Sequence, residues 1–102
     1  MVKRVDYNPT QLAEFCTRYG IARLSLFGSV LRDDFRPESD IDVLVEFQPE
    51  TRVGYFELVA IESALADLLQ TGRKVDLRTP GELSRYFRED VLKQAEVMYG
   101  DA

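Results

Sequence analysis

Three aspartates and one glycine–serine pair are the residues of this 102-residue chain whose types and spacing could do chemistry. Gly28-Ser29 closes one apolar run, and after ten further residues Asp40-Ile41-Asp42 opens another. Alternate side chains of a β-strand lie on one face, which places Asp40 and Asp42 about 7 Å apart on the same side. Unpaired carboxylates at that spacing repel each other. Mg²⁺ prefers oxygen ligands and commonly binds one or two carboxylates plus substrate phosphates, so the pair predicts a magnesium–phosphate site.

Gly28 and Ser29 would form the phosphate-binding half of that site. Glycine lets a backbone approach a phosphate closely, and Ser29 lies where a helix would begin, with a hydroxyl and unbonded N–H groups to offer an anion. Taken alone, the pair would equally describe a strand-to-helix turn with a serine N-cap. Arg32 follows one helical turn later and would either approach the triphosphate or pair with a nearby acidic residue.

The third aspartate, Asp76, lies on the polar face of a later predicted strand, flanked by Lys74 and Arg78. A solvent-exposed ion pair with either neighbour is one interpretation of this residue. In a chain that also carries Asp40 and Asp42, we interpret Asp76 as the third carboxylate of the same site.

Taken in their order along the chain, four sequence motifs resemble those of the polymerase beta type nucleotidyltransferase superfamily, and more closely those of its minimal nucleotidyltransferase (MNT) family. They are Gly28-Ser29, Arg32, Ser39-Asp40-Ile41-Asp42 and Lys74-Val75-Asp76-Leu77. The resemblance implies the nucleotidyltransferase fold and transfer of AMP from ATP to a hydroxyl. It assigns catalysis and two Mg²⁺ ions to Asp40, Asp42 and Asp76, and nucleotide binding to Gly28, Ser29 and Arg32.

Members of the MNT family are often antitoxins of HEPN-domain proteins. The resemblance therefore implies that the partner is a HEPN ribonuclease toxin, that the two form a hetero-oligomer, and that a tyrosine of the toxin receives the AMP. Two alternatives remain open. The chain would neutralise the toxin by binding alone, or it would transfer a nucleotide to a small molecule such as an aminoglycoside.

Composition excludes several other classes of protein. The formal net charge is −5, and we find no basic stripe, so we expect no long nucleic acid to be bound by this domain alone. The absence of histidine excludes histidine-based triads and metal sites. No apolar run approaches the roughly 20 residues that span a membrane, and no signal peptide is recognisable, so a cytoplasmic location is expected. The single cysteine, Cys16, is expected to be a buried structural thiol.

Periodicity predicts one α/β (α+β) domain over residues 1–102, with a small mixed sheet flanked by helices. Helices are predicted at 9–19 (N-cap Asn8, stop Gly20), 29–33, 55–69 (stop Gly72) and 82–87, with a final helix from Val91 to Tyr99. Strands are predicted at 21–27, 41–47 and 73–78, and loops at 33–39 and 51–54.

Aromatic side chains are numerous for so small a domain. Each is expected more often in the core than on a partner surface, although some would suit such a surface. The residues concerned are Phe35, Tyr55, Phe56, Tyr86, Phe87 and Tyr99.

Overall fold

The computed structural model describes residues 7–28, 40–69, 74–83, 85–86 and 88–100. Within them the helices are α1 (Pro9–Tyr19), α2 (Tyr55–Leu69) and α3 (Arg88–Gln94), and a 3₁₀ helix spans Pro80–Glu82. The strands are β1 (Ile21–Phe27), β2 (Ile41–Phe47), β3 (Val75–Arg78) and β4 (Glu96–Tyr99). No helix among these residues is long and apolar enough to cross a membrane.

Helix α1 begins and ends where its capping residues predict. The Asn8 carboxamide oxygen accepts hydrogen bonds from the backbone N–H groups of Thr10 and Gln11 at 2.9 and 3.1 Å, which satisfies two donors of the first turn. Gly20 ends the helix in the left-handed conformation, with φ 69°. The chain then enters β1 without a longer loop.

The four strands form one mixed sheet in the order β3-β2-β1-β4. Strand β1 is antiparallel to both β2 and β4, whereas β2 and β3 are parallel. Parallel neighbours need a crossover, and α2 provides it. The predicted mixed sheet with flanking helices is confirmed.

The core joins this sheet to the apolar stripes of α1 and α2. Ile61, Leu65 and Leu69 recur at four-residue steps along α2, and all three are buried. They pack in one cluster with the buried side chains of α1 and of strands β1 to β3, which include Leu12, Phe15, Cys16, Ile21, Leu24, Ile41, Val43, Val45, Val75 and Leu77. The packed helices therefore hold the strands that carry the candidate site.

The end of the chain differs from the prediction. The helix predicted over 82–87 is wrong: the 3₁₀ helix ends at Glu82, and Arg85 and Tyr86 lie in a turn. The final helix stops at Gln94, and Glu96–Tyr99 form β4 instead. Strand β4 pairs with the second edge of β1, with Ser25 opposite Val97, and satisfies backbone groups that would otherwise be unpaired there.

Three of the aromatic side chains lie on the surface and not in the core, where each is expected more often. Tyr55, Phe56 and Tyr86 are 75 %, 84 % and 85 % exposed, whereas Tyr99 packs partly against the core. Phe35, Phe87, the predicted 29–33 helix, the 33–39 loop, Gly72 and Arg73 lie outside the described residues.

Candidate active site

The glycine of the Gly-Ser pair and the second aspartate of the Asp-x-Asp motif are in contact. Strands β1 and β2 pair Phe27 with Asp42, and Gly28 follows Phe27 with φ 75°. A Cβ atom placed on Gly28 would lie 2.3 Å from the Asp42 Oδ2 atom. Only glycine leaves room for this carboxylate and adopts this backbone conformation readily. Gly28 of the first motif and Asp42 of the second therefore lie side by side at the end of the β1–β2 pair.

The third aspartate lies beside the second. The parallel register of β2 and β3 places Asp42 opposite Asp76, on strands about 4.8 Å apart. Opposite residues of neighbouring strands project from the same face of a sheet, and both side chains are only partly buried. Asp40 is exposed and immediately precedes β2, whose first residue, Ile41, donates its N–H to the Lys74 carbonyl at 2.9 Å.

Arg78 binds Asp76 through both carboxylate oxygens. Its Nε atom lies 3.1 Å from Oδ1, and its second guanidinium nitrogen lies 3.3 Å from Oδ2. The positive charge partly compensates two carboxylates on adjacent strands that would repel each other. The ion pair considered as an alternative for Asp76 is thus present, and it lies within the same group of residues as Asp42.

Glu62 reaches the same strand from α2, although it belongs to none of the sequence motifs. Its Oε2 atom accepts a hydrogen bond from the Leu77 N–H at 2.7 Å. The sequence does carry one signal for Glu62: this acidic residue directly follows Ile61, a core position of a largely apolar helix. Such a position favours a carboxylate with a specific partner.

The donor chemistry fits Mg²⁺ when a nucleotide supplies further ligands. In the part of the chain that is described, no three or more His, Cys, Asp or Glu side chains form a group that could hold a metal ion, the three aspartates included. Mg²⁺ does not need such a cage, because one or two carboxylates with phosphates and waters suffice. Asp42 and Asp76 provide two carboxylates. Ser29 and Arg32 lie outside the described residues, so their phosphate contacts stay predictions.

Comparisons with known proteins show the family and the fold of this chain. The family model of the nucleotidyltransferase domain matches residues 9–98. The chain is similar to the protein adenylyltransferase MntA of Thermococcus cleftensis, with 33 % identity over 84 % of this chain and 81 % of the relative. It also resembles a solved structure ascribed to a minimal nucleotidyltransferase, with a TM-score of 0.67, 32 % identity and 85 % of each chain covered.

Two further structures share the fold at lower sequence identity. One is a crystal structure of a toxin–antitoxin with AMP-PNP, with a TM-score of 0.67, 22 % identity, and coverage of 92 % of this chain and 74 % of the other. The other contains a tri-AMPylated Shewanella oneidensis HEPN toxin in complex with an MNT antitoxin, with a TM-score of 0.57, 19 % identity, and coverage of 91 % and 70 %. At these identities the likeness concerns the fold.

Proposed function

Because this chain belongs to the nucleotidyltransferase domain family, we propose that it is an enzyme that transfers AMP from ATP to a hydroxyl of a partner protein. The observation that carries the proposal is the contact of Gly28 with Asp42 and the register of Asp42 with Asp76. It joins a glycine that allows close backbone approach to two carboxylates on one face of the sheet. The relative named protein adenylyltransferase MntA supports a protein as the acceptor.

The proposed reaction is an in-line displacement at the α-phosphorus of ATP. The acceptor hydroxyl oxygen forms a bond to phosphorus, the bond to the bridging oxygen of the β-phosphate breaks, and pyrophosphate leaves. Asp76 orients the hydroxyl and accepts its proton, while Gly28 and Ser29 hold the β- and γ-phosphates. With phosphate oxygens of the bound nucleotide as further ligands, Asp40, Asp42 and Asp76 would hold two Mg²⁺ ions, which would neutralise the charge on the phosphates. Positioning and charge account for most catalysis of this kind, so a chain without histidine is adequate.

The partner we propose is a HEPN-domain ribonuclease toxin, with a tyrosine as the acceptor. Support comes from the toxin–antitoxin structure with AMP-PNP and from the MNT antitoxin in complex with a tri-AMPylated HEPN toxin. AMP on the toxin would silence it, which makes this chain the antitoxin of the pair. Together the two proteins would form a hetero-oligomer.

Intact-mass measurement of the HEPN partner tests this proposal. After incubation with Mg²⁺, ATP and this protein, the partner should gain mass in steps of one AMP unit. Asp42→Asn keeps the side-chain size and removes the charge, so the mass gain should fall by at least about a hundredfold in rate. A partner that gains no mass with the wild-type protein would contradict the proposal.

A second candidate function is neutralisation of the toxin by association alone. The observation that favours it is the exposure of Tyr55, Phe56 and Tyr86, since aromatic side chains are enriched in protein interfaces. Alanine at both Asp40 and Asp42 separates the two candidates. Full protection of cells by this double variant would favour association and contradict the enzymatic proposal.

A further inference from the structure

The backbone of β3 presents the Leu77 N–H on the side that faces away from β2. The Lys74 carbonyl accepts a hydrogen bond from Ile41 of β2, so the backbone groups of Lys74 face that strand. Backbone groups alternate in direction along a strand, which turns those of Asp76 towards β2 and those of Leu77 away from it. In the sheet as described, β3 is an edge strand. The Leu77 N–H therefore needs a partner from outside the sheet.

Glu62 is that partner. Its carboxylate accepts the Leu77 N–H at 2.7 Å, a short bond of the charge-assisted kind, which is stronger than one between neutral groups. The base of the Glu62 side chain is held in place because its neighbours in the packed face of α2, Ile61 and Leu65, are 2 % and 0 % exposed. The bond thus connects the packed face of α2 to the residue directly after Asp76.

We propose that Glu62 is a positioning residue for Asp76, an inference that rests on the function proposed above. Strand β3 has only four residues and lies at an edge, so hydrogen bonds on one side alone would hold it weakly. The Glu62 bond fixes the backbone of β3 from the other side and so fixes the Asp76 side chain opposite Asp42. Displacement of a catalytic group by about 1 Å can cost as much as a hundredfold in rate.

Three variants separate positioning from charge and from general stability. Glu62→Ala removes the acceptor, whereas Glu62→Gln retains an oxygen that can accept the same bond and removes only the charge. Asp67→Asn removes an exposed negative charge from the same helix and serves as the matched control. Each protein is measured for kcat, for KM of ATP, for thermal unfolding and, by NMR, for the exchange rate of the Leu77 amide hydrogen.

We expect Glu62→Ala to lower kcat by about tenfold and to leave KM for ATP within about twofold, since the other residues proposed to bind ATP and Mg²⁺, namely Gly28, Asp40 and Asp42, lie outside β3. The Leu77 amide should exchange faster in this variant. Glu62→Gln should restore most of the lost kcat, and Asp67→Asn should match the wild-type protein.

Two results would overturn the inference. The first is an unchanged kcat for folded Glu62→Ala although the Leu77 amide exchanges faster, which would leave Glu62 with a structural role only. The second is Glu62→Gln as impaired as Glu62→Ala, which would assign the effect to charge. Absence of transfer by the wild-type protein would instead overturn the proposed function, together with the role of Asp76 on which the inference depends.

Discussion

At the scale of residues, the candidate site depends on the space that Gly28 leaves open as much as on the negative charge of the aspartates. The Asp42 carboxylate lies where a side chain on residue 28 would be, so a glycine there determines where a carboxylate of the next strand can sit. Asp76, in register with Asp42, is held at its carboxylate by Arg78 and through the following backbone amide by Glu62. Two of the residues that impose these constraints, Arg78 and Glu62, lie outside the recognisable motifs.

Gly28→Ala should damage both stability and activity. A residue with a Cβ atom at φ 75° costs about 1–3 kcal/mol of folding free energy, and the new methyl group would push the Asp42 carboxylate by about 1 Å. We expect AMP transfer by the folded variant to fall by about a hundredfold. Urea unfolding and the rate of AMP transfer to the partner are the two measurements.

Gly20→Ala is a closely matched control for that variant. Gly20 has φ 69°, and its added Cβ atom would lie 2.3 Å from the Thr51 Oγ1 atom, so backbone strain and overlap are nearly the same. Gly20 precedes β1, however, whereas Gly28 follows it. Gly20→Ala should lose similar stability and keep its activity per folded molecule. Equal loss of activity in both variants would show that strain, and not the position of Asp42, limits transfer.

At the scale of elements, the crossover from β2 through α2 to β3 brings the aspartates together. Helix α2 covers the sheet with Ile61, Leu65 and Leu69 and carries Glu62 between the first two of these core residues. The parallel pairing that results places Asp76 beside Asp42, although they are distant in sequence. One helix thus both forms the core and supports the site.

Much of the fold could be predicted from the sequence, because local sequence signals determine most of its helices and strands. The Asn8 and Gly20 caps, the β1 and β2 runs, and the four-residue repeat of α2 each depend on neighbouring residues. Strand β4 could not be recognised in this way. Val97, Met98 and Tyr99 also fit the continuation of a helical pattern, and only the unpaired edge of β1, a non-local feature, selects a strand.

The contacts between side chains in the candidate site could not be predicted from the sequence either. The sequence shows that Asp42 and Asp76 each lie on the polar side of a strand, but not that these strands pair in register. Glu62 is outside every motif and acquires its partner only when α2 packs beside β3. The exposure of Phe56 and Tyr86 is likewise a property of the packed molecule.

Helix α1 carries a testable feature of its own, the thiol of Cys16. The side chain is buried, and this burial raises the pKa of the Cys16 thiol to about 12. In an unfolded chain the pKa of a cysteine is about 8.5. The native protein therefore retains a proton that the unfolded chain releases, and stability falls as the pH rises from about 8.5 towards 12, by at most about 1.4 kcal/mol per pH unit.

Urea unfolding at pH 8 and pH 10 of the wild-type protein and of Cys16→Ala measures this contribution. At pH 8 the wild-type protein should be the more stable, since alanine leaves a cavity. At pH 10 the difference should shrink by up to about 2 kcal/mol, because only the wild-type chain loses stability through this thiol. A constant difference at both pH values, or fast labelling of the native thiol at pH 8, would contradict the assignment.

At the scale of the whole molecule, a negative net charge and exposed aromatic side chains agree with the proposed protein acceptor. The net charge of −5 does not suit a nucleic-acid backbone, whereas exposed aromatic side chains at Tyr55, Phe56 and Tyr86 suit a protein surface. In the function we propose, this chain provides the nucleotide and the carboxylates, and the partner provides the hydroxyl. Activity should therefore require both proteins.

ATP labelled at either the α- or the γ-phosphate tests the central claim most directly. The protein is incubated with Mg²⁺, labelled ATP and its HEPN partner, and label on the partner is measured for the wild-type protein and for Asp42→Asn. We predict label from the α-phosphate only, and none above background with Asp42→Asn. Label from the γ-phosphate would indicate a kinase reaction, and a stable complex without label from either position would contradict the enzymatic account.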